Sequence, residues 1–157
     1  LIYAGTDDGN VQVTTDDGKK WKLVNSGLPP KWVSRVVASH YETGTVFVSL
    51  TGFREDDFNT YLFMSEDFGT TWISISGNLP SEGINVIRED PRNKNILYVG
   101  TDLGVYVTLD RGNTWHSLCN SLPTTPVHDM VIHPRDHELV IGTHGRSCFV
   151  LDVKPIQ

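Results

Sequence analysis

The sequence has few cysteines, few basic residues and no long hydrophobic run. Cys119 and Cys148 are its two cysteines, whereas a structural zinc site needs about four ligands. Their number and spacing leave two alternatives, buried free thiols or a disulfide. Lysine and arginine total 13 against 19 acidic residues, for a formal net charge of −6. Because phosphate binding requires clustered cations, this balance argues against DNA or RNA as a partner.

No apolar stretch approaches the roughly 20 residues that a membrane-spanning helix requires. The chain opens at Leu1 within a strand-like run and shows no charged region followed by an apolar segment. Any signal peptide has therefore been removed or lies upstream. The length of 157 residues suits one ordinary domain with a sizeable core.

Three sequence elements recur in a fixed order along the chain. The first reads [S/T]-x-D-x-G-x-x-W, and its aspartates are spaced by 51 and then 43 residues. A Leu-Pro pair repeats with the same spacing at residues 28, 79 and 122, and a Gly-Thr pair occurs at residues 5, 100 and 142. The key positions of the first element are Thr14, Asp16, Gly18 and Trp21, then Ser65, Asp67, Gly69 and Trp72, then Thr108, Asp110, Gly112 and Trp115. A repeat of about 45 residues indicates an array of similar structural units.

Short runs rich in valine, isoleucine, tyrosine and threonine lie between these elements and predict strands rather than helices. The predicted strands are 33–38, 45–50, 61–64, 84–88, 96–99, 105–108, 127–132, 139–141 and 148–151. With a further short strand starting at each tryptophan, every repeat has four strands, which is the composition of a propeller blade. The predicted fold class is all-β: a β-propeller arc of four-stranded antiparallel blades, two complete and two partial, as a fragment of a larger propeller. The blades would span 1–25, 30–77, 81–120 and 124–155 of a single partial domain, 1–157.

The repeated motif resembles the Asp box, or bacterial neuraminidase repeat, of sialidases, xyloglucanase-type glycoside hydrolases and sortilin-type sorting receptors. The segment from Pro126 to Asp152 is similar to the end of the large propellers in bacterial sortilin-like secreted proteins. The resemblance implies that the boxes are structural and lie opposite the ligand-binding face. It specifies the fold better than the function, because one fold can carry many functions.

Within each box, the aspartate can accept hydrogen bonds from nearby backbone N–H groups and the glycine can adopt a conformation closed to other residues. The tryptophan can bury its ring between blades. Lys20 stands where the second and third boxes have threonine, so the first box is expected to lack one side-chain hydrogen bond. The alternative role for these aspartates is metal or sugar binding.

The same resemblance implies that any ligand lies on the face opposite the boxes, where the turns between second and third strands meet. Candidate ligand-binding residues in these turns are Asp7, Asp8, Asp102, His144 and Arg146. The second blade also contains an insertion, 52–60, that carries Arg54, Asp56 and Asp57 together with two phenylalanines. Charged residues and two phenylalanines on one protruding loop suit a binding loop. A solvated loop that only packs over its neighbour is the alternative.

No catalytic set can be assigned from the sequence, so the chain is of uncertain enzyme status and leans towards a non-enzyme. A glycoside hydrolase would need two carboxyl groups roughly 5–10 Å apart, for which Asp7, Asp8, Asp56, Asp57 and Asp102 are raw material. His137-Glu138 starts an H-E-x-x-H pattern that fails at Ile141. The other histidines and aspartates near it are predicted to be ordinary polar residues of strands and turns, so neither a metal nor a cofactor is expected.

The sequence therefore predicts a binding or scaffold module, within an exported protein that is periplasmic, attached to the cell surface or secreted. Its partner would be a protein, peptide or glycan ligand. Part of the catalytic propeller of a glycoside hydrolase acting on polysaccharide is the alternative. Exposed blade edges favour association, so we expect the remaining blades of a parent chain, or self-association, to close the ring.

Overall fold

The computed structural model describes residues 1–118 and 122–157. Cys119 lies outside the described residues, and so does any disulfide that would include it. Cys148 is a free thiol and is exposed. The expectation of two buried thiols is therefore wrong for Cys148, which pairs with Gly142 on a sheet face that no other described sheet covers.

Four antiparallel sheets make up the described structure. The first contains β1 (Ile2–Gly5), β2 (Val11–Thr14) and β3 (Lys22–Leu23). The second contains β4 (Trp32–Ala38), β5 (Val46–Gly52), β6 (Asp57–Ser65) and β7 (Ile73–Ser74). The third contains β8 (Ile84–Glu89), β9 (Leu97–Thr101), β10 (Val105–Thr108) and β11 (Trp115–Ser117). The fourth contains β12 (Val127–His133), β13 (Glu138–Thr143) and β14 (Cys148–Asp152). Short 3-10 turns occupy Phe53–Glu55 and Lys154–Ile156.

Each sheet is a meander in which consecutive strands are neighbours, as in a propeller blade. The strands β4, β8 and β12 open their sheets and contact one another, so they form the inner edge of the arc. The first sheet has no counterpart of β4, and the fourth has no described counterpart of β7. This arrangement confirms the predicted all-β arc of two four-stranded sheets between two partial ones.

Three apolar clusters fill the spaces between consecutive sheets. Val11, Val33 and Val48 belong to the first cluster, the second includes Phe47 and Ile87, and the third includes Tyr98 and Ile141. Strand β9 is buried along its whole length, because a sheet lies on each of its faces. The core is therefore a stack of sheet-to-sheet contacts rather than one central cluster.

All three boxes form the same hydrogen-bonded turn. In the second box, the Ser65 hydroxyl donates to Asp67 Oδ1 at 2.8 Å and accepts from the Gly69 N–H at 2.8 Å. The Thr71 N–H donates to Asp67 Oδ1 at 2.8 Å, and the Thr71 hydroxyl donates to Oδ2 at 2.7 Å. Phe68 and Gly69 both have positive φ values, 61° and 84°. The turn is thus closed by hydrogen bonds between residues of the same box.

The first box differs in the way the sequence predicts. Asp16 accepts from the Lys20 N–H at 2.9 Å, but lysine has no hydroxyl to supply the second bond. The boxes lie on the face of the turns that follow the inner strands, since the Phe68 N–H donates to the Gly44 carbonyl and the Arg111 N–H to the Asn95 carbonyl.

The box tryptophans connect one sheet to the preceding one. Trp72 Nε1 donates to the Val24 carbonyl at 2.7 Å, and Trp115 Nε1 donates to the Ile75 carbonyl at 2.9 Å. Trp115 is 3% exposed, whereas Trp21 is 43% exposed. The prediction of a buried ring is wrong for Trp21, because its sheet has no preceding sheet in this chain to pack against.

The insertion in the second blade is a tight hairpin whose tip, 53–56, is exposed. Strand β6 already begins at Asp57, and Gly52 pairs with Asp57 across the hairpin. Asp56 closes the 3-10 turn in a left-handed conformation, with φ of 55°. The inserted residues therefore lengthen β5 and β6 and place the side chains of 53–56 at the end of the second sheet.

Candidate functional site

Three consecutive inner strands have a β-bulge at the same position. The register shifts between Val33 and Arg35 in β4, between Ile84 and Val86 in β8, and between Val127 and Asp129 in β12. A bulge leaves its extra residue out of the ladder and re-aims the side chain. The extra residues are Ser34, Asn85 and His128.

All three bulged residues line one open groove of about 660 Å³. The groove lies on the face opposite the boxes, where the chain enters each inner strand. Its other walls come from the start of β4, the hairpin of the second sheet, the β9–β10 turn and the entry to β12. The described lining residues are Trp32, Ser34, Arg35, Thr51, Phe53, Arg54, Asn85, Asp102, Pro126 and His128. A volume of this size is typical of sites for small ligands or peptide segments.

An arginine–tryptophan contact forms one rim of the groove. The Arg54 guanidinium carbon lies 4.0 Å from the centroid of the Trp32 ring, a cation–π distance. Phe53 packs edge-on against Phe58, with their ring centroids 6.1 Å apart. Phe53 remains 63% exposed, so the rim presents both apolar and cationic surface to a ligand.

Lys31 holds the hairpin in place at its base. Its ammonium group contacts Glu55 and lies 3.0 Å from Asp57 Oδ2. These hydrogen bonds, that with Glu55 first, raise the pKa of Lys31. The Tyr61 hydroxyl donates to Asp57 at 2.7 Å, and this bond, followed by that from Lys31, lowers the pKa of the Asp57 carboxyl. Asp57 therefore supports the hairpin and is occupied by protein partners.

Charged contacts next to the groove join the inner strands β4, β8 and β12 through Arg35, Arg88 and Asp129. Arg88 Nη2 donates to Asp129 Oδ1 at 2.6 Å, and Arg88 Nε donates to the Met130 carbonyl at 2.7 Å. Arg35 Nη2 lies 3.5 Å from the same Asp129 oxygen. Two guanidinium groups thus share one carboxylate, and the inner wall keeps a local positive charge.

The predicted ligand-binding residues are divided between this groove and its surroundings. Arg54 and Asp102 line the groove, and Asp102 Oδ1 accepts from Asn85 Nδ2 at 2.9 Å. His144 stacks on His128 with ring centroids 5.2 Å apart. Asp56 and Arg146 are exposed in the hairpin and in the β13–β14 turn, outside the described lining of the groove.

Asp7 and Asp8 line a smaller neighbouring pocket of about 180 Å³ that shares Trp32, Thr51 and Arg54 with the groove. Asn10 Nδ2 donates to Asp8 Oδ2 at 2.8 Å, and the Thr6 hydroxyl also donates to this carboxylate. These bonds, Thr6 foremost, lower the pKa of Asp8. Asp8 is thereby engaged in its own turn.

Sequence reasoning missed Trp32, Arg35 and Asn85 as groove residues and did not assign His128 to a ligand site. The available signal was their place just after each connection between blades, at the start of an inner strand. His128 falls within the predicted strand 127–132, but the bulge in β12 interrupts the alternation of side chains there.

Among the described residues, no group of three or more His, Cys, Asp or Glu side chains could hold a metal ion. Within the same residues, no helix is long and apolar enough to cross a membrane.

The sheets, the boxes and the groove define an Asp-box β-propeller segment with a candidate ligand site on the face opposite the boxes. The sequence profile of Sortilin-Vps10, described as sortilin, neurotensin receptor 3, matches residues 60–153. The chain belongs to the Sortilin-Vps10 family. No curated protein sequence matches the chain.

Solved structures with the same fold include two GH74 enzymes and YCF48 bound to D1 peptide. The GH74 enzyme of Niastella koreensis is 16% identical with a TM-score of 0.74, over 96% of this chain and 26% of its own. The GH74 xyloglucanase of Xanthomonas campestris is 13% identical with a TM-score of 0.71, over 99% of this chain and 27% of its own. YCF48 is 13% identical with a TM-score of 0.62, over 96% of this chain and 49% of its own. The chain thus spans about a quarter of each GH74 enzyme, and identities this low show the fold alone.

Proposed function

We propose that this chain is a binding module that holds an extended peptide segment of a ligand in the groove opposite the boxes. The observation that carries the proposal is the set of three bulges, which turn Ser34, Asn85 and His128 towards one groove. A bulge at the same position in three sheets disrupts the hydrogen-bond ladder each time. A ligand site at the inner edge would explain why the bulge recurs.

The groove combines the features that peptide sites use. Trp32, Phe53 and Pro126 supply apolar contact, while the bulged residues supply hydrogen-bonding groups. Two comparisons support this proposal: the family description includes a neurotensin receptor, and one solved structure of the same fold is YCF48 bound to D1 peptide. We place the module in an exported protein, as the sequence resemblance implies.

Hydrolysis of a glycan is the second candidate, supported by the shared fold with GH74 enzymes. A glycosidase needs two carboxyl groups across the scissile bond. Asp102 is the one carboxylate among the described lining residues of the groove, and Asn85 already binds it. Binding is therefore favoured over catalysis at this site.

The test is a selection of peptides from a random phage-displayed library on the immobilised protein. Enriched peptides are labelled with fluorescein and titrated by anisotropy against the wild-type chain and Trp32→Ala. Since tryptophan is enriched among the interface residues whose truncation costs about 2 kcal/mol or more, we expect Trp32→Ala to weaken binding by roughly 30-fold. Trp21→Ala removes an exposed tryptophan on the box side and should leave the affinity unchanged.

Arg54→Ala provides a second groove variant, because Arg54 is exposed and its loss should not disturb folding. Recovery of no peptide, or peptides that bind Trp32→Ala and Arg54→Ala as tightly as the wild type, would overturn the proposal. Release of reducing sugar from xyloglucan that disappears in Asp102→Asn would instead support the hydrolase.

A further inference from the structure

Arg35 is the least satisfied charged group in the groove. Its Nε is buried and has no hydrogen-bond partner. Its Nη2 makes two long contacts, 3.4 Å to the His128 carbonyl and 3.5 Å to Asp129 Oδ1. A buried donor without a partner is unfavourable in the free protein. The Arg35 side chain as a whole is 33% exposed, so a ligand acceptor can meet the accessible part of this under-paired group.

Arg88, on the next inner strand, shows what a fully engaged arginine looks like here. All three of its nitrogens donate, Nε to Met130, Nη1 to the Ile87 carbonyl at 2.9 Å and Nη2 to Asp129. The carboxylate of Asp129 is therefore matched by Arg88 at 2.6 Å. Asp129 therefore does not also neutralise Arg35, whose side chain lines the groove.

Arg54 supplies a second positive charge at the rim. It lies over Trp32 and forms no ion pair with any residue that the structure describes. Arg35 lies on the inner strand β4 and Arg54 lies in the hairpin, so the two side chains line the same groove from different structural elements. Asp102 is the one lining carboxylate, and Asn85 donates to it.

We infer that the groove selects an acidic peptide, in which one side-chain carboxylate pairs with Arg35 at the floor and a second pairs with Arg54 at the rim. This inference rests on the proposed peptide-binding function. Arginine binds carboxylates through short, charge-assisted and often bidentate hydrogen bonds. Two separate arginines in an open groove suit acidic side chains along a segment better than the single carboxylate of a chain terminus. Trp32 and Phe53 would pack against apolar residues between the acids.

The net charge of the chain, −6, opposes an acidic ligand at long range. Salt screens exposed charges beyond roughly 8 Å at physiological ionic strength, whereas the two arginines act at contact distance. The selectivity therefore resides in the groove and not in the overall field of the molecule. This also predicts that raising the salt concentration weakens the discrimination between acidic and neutral peptides.

The test uses three fluorescein-labelled decapeptides of alternating polar and phenylalanine positions. The first carries glutamates and has a blocked carboxyl terminus, the second has glutamines in their place with the same block, and the third is the glutamine peptide with a free carboxyl terminus. Anisotropy titrations use the full chain, Arg35→Gln, Arg54→Gln and the control Arg135→Gln. Arg135 is an exposed arginine that pairs with Asp136 in a turn on the box side.

We expect the glutamate peptide to bind at least about tenfold more tightly than either glutamine peptide, because hydrogen bonds to charged groups are stronger than neutral ones. Arg35→Gln should remove most of that difference, Arg54→Gln part of it, and Arg135→Gln none. Equal binding of the glutamate and glutamine peptides would overturn the inference, as would a preference for the free carboxyl terminus alone. If phage-selected peptides still require Trp32 in that case, the proposed function stands and only the acidic selectivity fails.

Discussion

At the scale of single residues, Asp67 shows how a box carboxylate stabilises its turn. Hydrogen bonds from the Thr71 backbone, the Thr71 side chain and Ser65 lower its pKa to about 2, from an ordinary value of about 3.9. A lowered pKa in the folded state stabilises the fold fully above the unfolded value. That contribution is lost as the pH falls from about 4 through 2.

We therefore expect Asp67→Asn to lower the melting temperature at pH 6, and the gap from the wild type to close as the pH approaches 2. Other carboxylates titrate in both proteins, so the difference between the two melting curves isolates Asp67. Asp16→Asn is the matched variant, since Lys20 gives Asp16 a backbone bond but no hydroxyl bond. Its gap at pH 6 should be smaller. A gap for Asp67→Asn that stays constant from pH 6 to 2 would contradict this assignment.

Residue identity predicted these boxes almost completely. Every group that bonds to Asp67 lies within four residues of it, so the local sequence contains the whole arrangement. Arg35 could not be found in this way, because its environment includes Asp129, which lies more than 90 residues further along the chain.

At the scale of strands and sheets, the box tryptophans test how one blade stabilises the next. Trp115 is 3% exposed and donates to the preceding sheet, while Trp21 holds the same box position and is 43% exposed. Cutting a buried tryptophan to alanine typically costs about 3–5 kcal/mol. We expect that loss in the free energy of unfolding for Trp115→Ala, and less than about 1 kcal/mol for Trp21→Ala.

Urea denaturation followed by circular dichroism measures both free energies. A chain of sheets that contact mainly their neighbours could unfold in steps, so each transition is fitted separately. Similar losses for the two variants would show that the ring contributes within its own box and not by joining sheets.

Strand positions were predictable because each strand has its own local pattern of β-branched and aromatic residues between turn residues. The predicted strand at 105–108, for example, coincides with β10. The bulges at Ser34, Asn85 and His128 were not predictable, because a bulge is defined by pairing with a partner strand. The same is true of the hairpin, where Gly52 pairs with Asp57 inside what the sequence pattern indicated to be a loop.

At the scale of the whole molecule, the two outermost sheets each have a face that no described sheet covers. On the fourth sheet, Val131, Val140 and Val150 lie side by side in a row across three strands, and Val131 and Val150 are 58% and 61% exposed. On the first sheet, Ile2 and Leu23 are 48% and 54% exposed. Apolar surface of this kind, next to free strand edges, favours association.

We expect the 157-residue polypeptide to self-associate, because burial of such rows removes apolar area from water at about 25 cal/mol per Å². Sedimentation velocity from about 1 to 100 μM should show a mass that rises above 17.5 kDa with concentration. The double substitution Val131→Lys with Val150→Lys places two charges on that face and should shift the association to higher concentration. Leu103→Lys changes a side chain of similar exposure, 51%, in the β9–β10 turn on the groove side and should leave association unchanged. A wild-type chain that sediments as a monomer over the whole range would contradict this prediction. It would show that the free strand edge and the exposed valine row do not drive association.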